Sequence, residues 1–285
     1  MSAGAAPGYP PPMRRPPDFG GFSDVDDTGA PADYAAYLDR VRDVSPVGEW
    51  KERSFALLEP APGAVLLDVG CGTGEDVVAL AQRVAPGGRA IGVDASAAMI
   101  DEAMRRAAGA ASPVDLHVCD ARRLDLPDAS VDGCRTERTL QHLERPQEGV
   151  AEMARVLRPG GRIVLAEPDW GTLVVDPGDP AIGRDVAAVA AERVRSGTVG
   201  RRLKRLLVEA GLTEVGVIAR TLVVTDLTQA LLLFDLDGAL TRAVELGRVN
   251  PARAAGWRAD LVRADAEGRH LTAMTAFMAW GRRPA

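Results

Sequence analysis

The chain has 285 residues, 46% of them hydrophobic, and a formal net charge of −6 at pH 7. That length allows one large α/β domain with elaborations, or two small ones, and the acidic balance excludes global attraction to nucleic acid or to an anionic membrane. The three cysteines, Cys71, Cys119 and Cys134, are far apart and include no C-x-x-C pair; this argues against a metal site of that kind and reads as reduced thiols in a cytoplasmic protein.

Residues 1–30, "GYPPPMRRPPDFGG" among them, are rich in Pro, Gly and Ala and read as a flexible N-terminal arm. The arm has no apolar core typical of a secretory signal. Nowhere does the chain carry the run of about eighteen apolar residues that spans a membrane. "DYAAYLDRVRDV" then places Tyr34, Tyr37, Leu38 and Val41 on one helical face. "SPVGEWKERSFALLEP" offers Ser45 as an N-cap and Pro46 at the first helical position. Residues 31–60 are thus a pair of N-terminal helices opening a single domain that runs to 285.

Short apolar runs and helical patterns alternate from there. "AVLLDV", "AIGVD", "DLHVCD", "VDGCRTE" and "RIVLAEP" read as strands. "EDVVALAQRVA", "SAAMIDEAMRRAAG" and "EGVAEMARVL" read as the helices between them, and "RPGG" as a turn. Buried apolar strands joined by helices imply a parallel sheet covered on both faces. Two further strands, "VGVIARTLVV" and "HLTAMTAFMAWGR", bring the expected sheet to seven. The fold class is α/β: a doubly wound, mostly parallel, seven-stranded Rossmann-like sheet. Residues 226–268 are helical between two strands, so they read as an insertion serving as a lid.

The first strand runs into Gly70, Gly72 and Gly74, followed by Glu75 and Asp76. A glycine-rich turn between strand and helix is where a doubly wound sheet receives a nucleotide-like ligand. Asp94, at the end of the second strand, can accept both hydroxyl protons of a ribose. This much fits NAD or an adenosyl sulfonium. Glu75 and Asp76 would sit in the helix's first turn, where a pyrophosphate expects bare N–H groups. With Asp68 they favour a ligand carrying an ammonium and a sulfonium. The spacing G-x-G-x-G also departs from the dinucleotide G-x-G-x-x-G.

"VLLDVGCGTGEDV", Asp94, "VCDARRLDLPDASVD" and "RVLRPGGRIVLAEP", in that order, resemble the class I S-adenosylmethionine-dependent methyltransferases. Within that family the resemblance is to the quinone-biosynthesis and bacterial natural-product enzymes, over residues 45–170. It implies S-adenosylmethionine as cofactor and S-adenosylhomocysteine as product. It implies that Asp68 orients the methionyl ammonium through the loop, and that Gly70, Gly72 and Gly74 let the backbone approach the amino-acid part and the ribose. Asp94, with Ala95 beside it, would take the ribose hydroxyls. Asp120 would accept from the adenine amino group, with Ala121 alongside. Thr136 and Glu137 would lie near the sulfonium, and His142 would face the acceptor.

Methyl transfer to a sulfonium's partner needs in-line positioning and dryness, and a base only where the acceptor sheds a proton. His142 and Glu137 are the candidates for that base; each is also readable as a structural residue, a buried imidazole and a helix-start acid. Trp170 in "EPDWGTLVV" packs a flat substrate or anchors the lid. The expected function is methyl transfer to a small, partly apolar metabolite of secondary metabolism. Alternatives are a non-methylating cyclase of the same fold and a macromolecule methyltransferase. Neither a nucleic-acid nor a membrane partner is expected. The sequence leaves the acceptor atom and any homo-oligomer open.

Overall fold

The apolar run after Ala64 becomes a central strand because both its faces are covered. The computed structural model describes residues 16–42, 44–176 and 178–285. After two helices, α1 (Pro31–Arg42) and α2 (Ser45–Leu58), comes β1 (Val65–Val69), whose Leu66, Leu67 and Val69 are buried. The order continues α3 (Glu75–Arg83), β2 (Arg89–Asp94), α4 (Ala97–Ala107), β3 (Val114–Val118), β4 (Val131–Glu137), α5 (Pro146–Val156) and β5 (Leu157–Pro168). Strands β1 to β5 pair in parallel in the order β3-β2-β1-β4-β5. One apolar layer forms against α3 and α4, and another against α5. Two boundaries differ from the sequence reading. Helix α2 begins at Ser45 itself, with Val44 in the N-cap position and no side-chain cap, and β5 starts at Leu157, the expected "RPGG" turn being looped out of the β4 pairing between Leu157 and Arg162.

The sheet has eight strands, not seven. Next come β6 (Val174–Asp176), α6 (Pro180–Glu192), α7 (Leu203–Glu209), β7 (Thr213–Val224) and, last in the chain, β8 (Leu271–Arg282). Strand β8 is antiparallel to β5 through residues 276–282, to β6 through 271–273 and to β7 through 272–282. Strands β5 and β6 therefore share one flank of β8, as one line of strand broken at Trp170–Thr172. The break is a 3-10 turn in which the Asp169 side chain accepts from Gly171 N. The sheet is still seven positions wide; the turn divides one of them.

Helices α8 (Leu227–Phe234), α9 (Leu236–Glu245) and α10 (Pro251–Ala266) fill the stretch between β7 and β8, where the sequence places a helical insertion. They form a third apolar cluster with α6, Trp170, Tyr37 and Phe19. That last residue marks a difference from the sequence reading. Residues 1–15 of the expected arm lie outside the described residues. Phe19–Ser23 and Val25–Thr28, however, are two 3-10 turns packed onto the domain. Phe19 and Val25 are buried, and Asp18 and Asp24 pair with Arg193 and Arg195 at 2.8 and 2.6 Å. Composition favours disorder here, but a few apolar side chains with a ready-made site override it. Among the described residues no helix is long and apolar enough to cross a membrane.

Candidate active site

A cavity of about 660 Å³ opens at the carboxyl ends of β1, β2, β4 and β5. This is within the usual range for small-ligand sites. Its floor is the turn from β1 to α3. Gly70, Gly72 and Gly74 all have left-handed φ, +74°, +52° and +84°. Gly70 has a second reason to be glycine: a Cβ there would lie 2.0 Å from Thr139 Oγ1. The turn is tied to β2, since Gly70 N and Cys71 N both donate to the Val93 carbonyl at 2.7 and 3.0 Å. Gly72 N donates to Asp94 Oδ2 at 2.9 Å, and Ser96 N to Asp94 Oδ1 at 3.0 Å. A carboxylate has about four lone-pair sites. Two remain on Asp94, which lines the cavity with Ala95 beside it. Burial raises its pKa against those backbone donors, so further donors that enter would favour its charged form.

Asp120 and Ala121 line the same end just beyond β3. Arg122 grips Asp120 from the mouth, Nη2 to Oδ2 at 2.6 Å, and lowers its pKa by that hydrogen bond. The Asp120 side chain keeps 44% of its exposure, so the grip lies at the surface and a ligand can compete for it.

The acidic turn is not left bare. Arg135 on β4 is wholly buried and reaches Asp68 at 3.1 Å, Asp76 at 2.9 Å and Glu137 at 2.6 Å. Lys51 on α2 adds Asp76 at 2.5 Å and Glu137 at 3.7 Å. Glu75 pairs with Arg42 at 3.0 Å and with Arg106. The sequence argument that Glu75 and Asp76 repel a diphosphate therefore needs correcting, because the chain supplies their counter-ions. What survives is a residue of charge. Three carboxylates (Asp68, Asp76, Glu137) face two cations (Arg135, Lys51) around the cavity floor. Burial works against ionisation of Asp76, but Lys51 and Arg135 outweigh it and hold that carboxyl well below the usual range. Burial also pushes Asp68 up to about 7, against the pull of Arg135. An arriving ammonium would restore its charge.

The far end of the cavity is aromatic. Phe19 stands 5.4 Å from Tyr37 and 5.5 Å from Trp170, ring to ring. Phe22 meets Tyr34 edge-on at 4.7 Å and faces His142 at 5.4 Å. Trp170 Nε1 donates to Gln141 Oε1 at 2.8 Å, so its ring is fixed. Leu233 and Phe234, from α8, complete this wall.

The expected base residues fare unequally. His142 lines the cavity with Nδ1 buried and without a hydrogen-bond partner. Burial drives its pKa down to about 3, and Arg138 and Arg195 push the same way. Such a ring stays neutral and is a weak proton acceptor. Glu137 lines the cavity but is held between Arg135 and Lys51. Thr136 does not line it: the side chain is buried and Oγ1 donates to the Val69 carbonyl at 2.8 Å. Alternation along β4 sends Arg135 and Glu137 to one face and Thr136 to the other; Thr139, past the strand end, reaches the cavity instead.

Sequence reasoning passed over Glu167. It is buried at the end of β5, and its Oε1 accepts from Thr139 N at 2.8 Å and Leu140 N at 2.6 Å. Its Oε2 is buried with no partner, and the residue lines the cavity. Burial raises its pKa to about 8. The available signal was its place: a lone carboxylate closing an otherwise apolar strand, "RIVLAEP", at the ligand end of a parallel sheet.

Residues 67–165 match the family described as a methyltransferase domain. An uncharacterised 37.1 kDa protein in transposon TN4556 of Streptomyces fradiae is 36% identical over 247 residues, covering 86% of this chain and 70% of that one. The chain belongs to the class I S-adenosylmethionine-dependent methyltransferases. A demethylmenaquinone methyltransferase of Symbiobacterium thermophilum is 36% identical over 140 residues, or 47% of this chain and 55% of the relative. The chain spans about half the length of the demethylmenaquinone methyltransferases it matches. The YcgJ protein of Bacillus subtilis shares the fold, with a TM-score of 0.57 at 19% identity over 82% of this chain and 99% of that one. The donors present suit the family's cofactor. Gly70 and Gly72 put no side chain between the cavity and the turn's backbone, whereas Gly74 does not line it; Asp94 keeps lone pairs free, and the carboxylates of the floor outnumber its cations by one.

Proposed function

We propose that the protein transfers the methyl group of S-adenosylmethionine to a small, partly apolar acceptor, held between the N-terminal segment and the helices of the insertion. One observation carries the reading: a single cavity joins the glycine turn, Asp94 and Asp120 at one end to the Phe19, Phe22, Tyr37 and Trp170 wall at the other. The menaquinone relatives support a small-molecule acceptor, and the breadth of the apolar wall favours a metabolite of secondary metabolism over a macromolecule.

In this reading Asp94 receives the ribose hydroxyls, and Asp120 receives the adenine amino group once Arg122 yields. The Asp68–Arg135 floor faces the methionyl ammonium. Bound there, S-adenosylmethionine supplies an activated methyl group and a good leaving group. The chain's own contribution is placement and dryness, which lower such a barrier by several kcal/mol and by roughly 7–11 at the most favourable. The aromatic wall excludes water from the acceptor. The insertion, through Leu233 and Phe234, acts as the lid. Where the acceptor atom sheds a proton, Glu167 Oε2 takes it, a better-placed group than His142 or Glu137.

The test is incubation with methyl-labelled S-adenosylmethionine and a panel of small aromatic and aliphatic metabolites. Label should appear in a low-molecular-weight product heavier by one methyl group. Turnover of an acceptor with no added methyl would instead favour a cyclase, and label in protein or RNA a macromolecule methyltransferase. Calorimetry should show S-adenosylhomocysteine binding and no binding of NAD.

A further inference from the structure

Among the described residues six arginines line the cavity, and five of them are spoken for. Arg42 pairs with Glu75, Arg122 with Asp120, Arg135 with its three carboxylates, Arg195 with Asp24 and Arg220 with Glu49. Arg138 alone has no carboxylate partner among the described residues, and its Nε is buried without a hydrogen bond. A buried donor without a partner is uncommon, because its desolvation goes uncompensated.

The backbone says the same. Arg138 sits at φ +55°, in the left-handed region that a long side chain seldom occupies. Neighbours enforce it. Arg138 N donates to the Ala166 carbonyl at 3.0 Å, Gln141 Nε2 donates to the Arg138 carbonyl at 3.1 Å, and Glu167 Oε1 fixes the next two amides. Strain held in place this way gathers at sites that touch ligands. The charge of Arg138 is felt by Tyr37 and His142, so the guanidinium belongs to the aromatic end of the cavity. A guanidinium's Nε–Nη edge matches two oxygens of one anion.

Resting on the methyltransferase reading, we propose that the acceptor is an amphiphile bearing an oxyanion, a carboxylate or a phosphate monoester, which Arg138 takes through its guanidinium while the apolar body lies against Phe22 and Tyr37. Arg138 is then the residue that selects the acceptor.

The experiment titrates protein loaded with S-adenosylhomocysteine with 2-naphthoate, 2-naphthyl phosphate and neutral 2-naphthamide, by calorimetry. At least one anion should bind tenfold or more tightly than the amide, equivalent to about 1.4 kcal/mol; which one does so separates carboxylate from phosphate. Arg138→Met and Arg138→Gly should both erase the preference, with the affinity for S-adenosylhomocysteine unchanged. The glycine variant guards against misfolding, since glycine adopts the left-handed backbone freely. Equal binding of all three probes, no binding of either anion, or a preference that survives in both variants overturns the proposal. Failure of the wild-type protein to bind S-adenosylhomocysteine would remove the methyltransferase reading, and this proposal with it.

Discussion

The two ends of the cavity are built on opposite principles. At the glycine turn the polar groups are nearly all engaged: Asp94 by two amides, Asp68, Asp76 and Glu137 by Arg135 and Lys51. Towards the aromatic end three buried polar atoms have no partner among the described residues: Glu167 Oε2, Arg138 Nε and His142 Nδ1. A pre-paired network keeps its shape whether or not ligand is present. Idle groups in an apolar wall cost stability until the right partner arrives, and that cost is what lets a site refuse wrong ones.

The largest expected effect comes from breaking the paired end. Arg135→Met strands Asp68 in the interior, while Asp76 keeps Lys51, and losing one member of a buried ion pair costs about 3–5 kcal/mol. Urea denaturation should show that loss, together with loss of S-adenosylhomocysteine binding. A fully stable variant would mean the network is not what holds the floor.

Glu167→Gln sharpens the other side. If Glu167 takes the acceptor's proton, turnover should fall by about a hundredfold, the low end for general-base catalysis. Wild-type turnover should rise as pH passes about 8, and the variant should lose that rise. Stability should move the other way. The folded carboxyl is raised to about 8 from an unfolded value of 4.5, so the unfolded chain releases its proton first. Wild-type stability therefore falls as pH climbs from about 4.5 towards 8. The amide carries no such penalty, so the variant should gain on wild type between pH 5 and pH 8, read from urea midpoints. Identical pH profiles for the two proteins would leave Glu167 as a structural cap only.

Smaller effects follow. Asp94→Ala should weaken S-adenosylhomocysteine binding at least tenfold, about 1.4 kcal/mol, measured by calorimetry; an unaltered dissociation constant would detach Asp94 from the cofactor. Asp26 tests how the N-terminal segment joins the rest. Its carboxylate accepts from Ala97 N at 2.8 Å, Ala98 N at 3.2 Å and the Ser96 hydroxyl at 2.5 Å, capping α4 from another part of the chain. Asp26→Ala should cost about 1 kcal/mol, the usual worth of such a cap, with proteolysis increasing first within residues 16–28. Unchanged proteolysis there would show that the aromatic contacts alone hold the segment.

Much of the sheet end of this cavity was legible in the linear chain, because its requirements are local. Left-handed glycines after a buried strand, an acid closing the next strand and periodic apolar faces each declare themselves within a few residues. Even the insertion at 226–268 could be placed, since helical periodicity between two strands needs no distant partner. What the chain alone could not declare depends on residues far apart in sequence. Phe19 is ordered only because Tyr37 and Trp170 wait for it, so a Pro/Gly-rich composition misled. Glu75 and Asp76 look like bare charges until Arg42, Arg106, Lys51 and Arg135 are brought to them. His142 reads as a base by type and is silenced by depth. The idle donor and left-handed backbone of Arg138 exist only once the fold has closed around it. Backbone conformation and periodicity are written residue by residue, whereas charge compensation and burial are settled by which distant side chains the tertiary structure brings together.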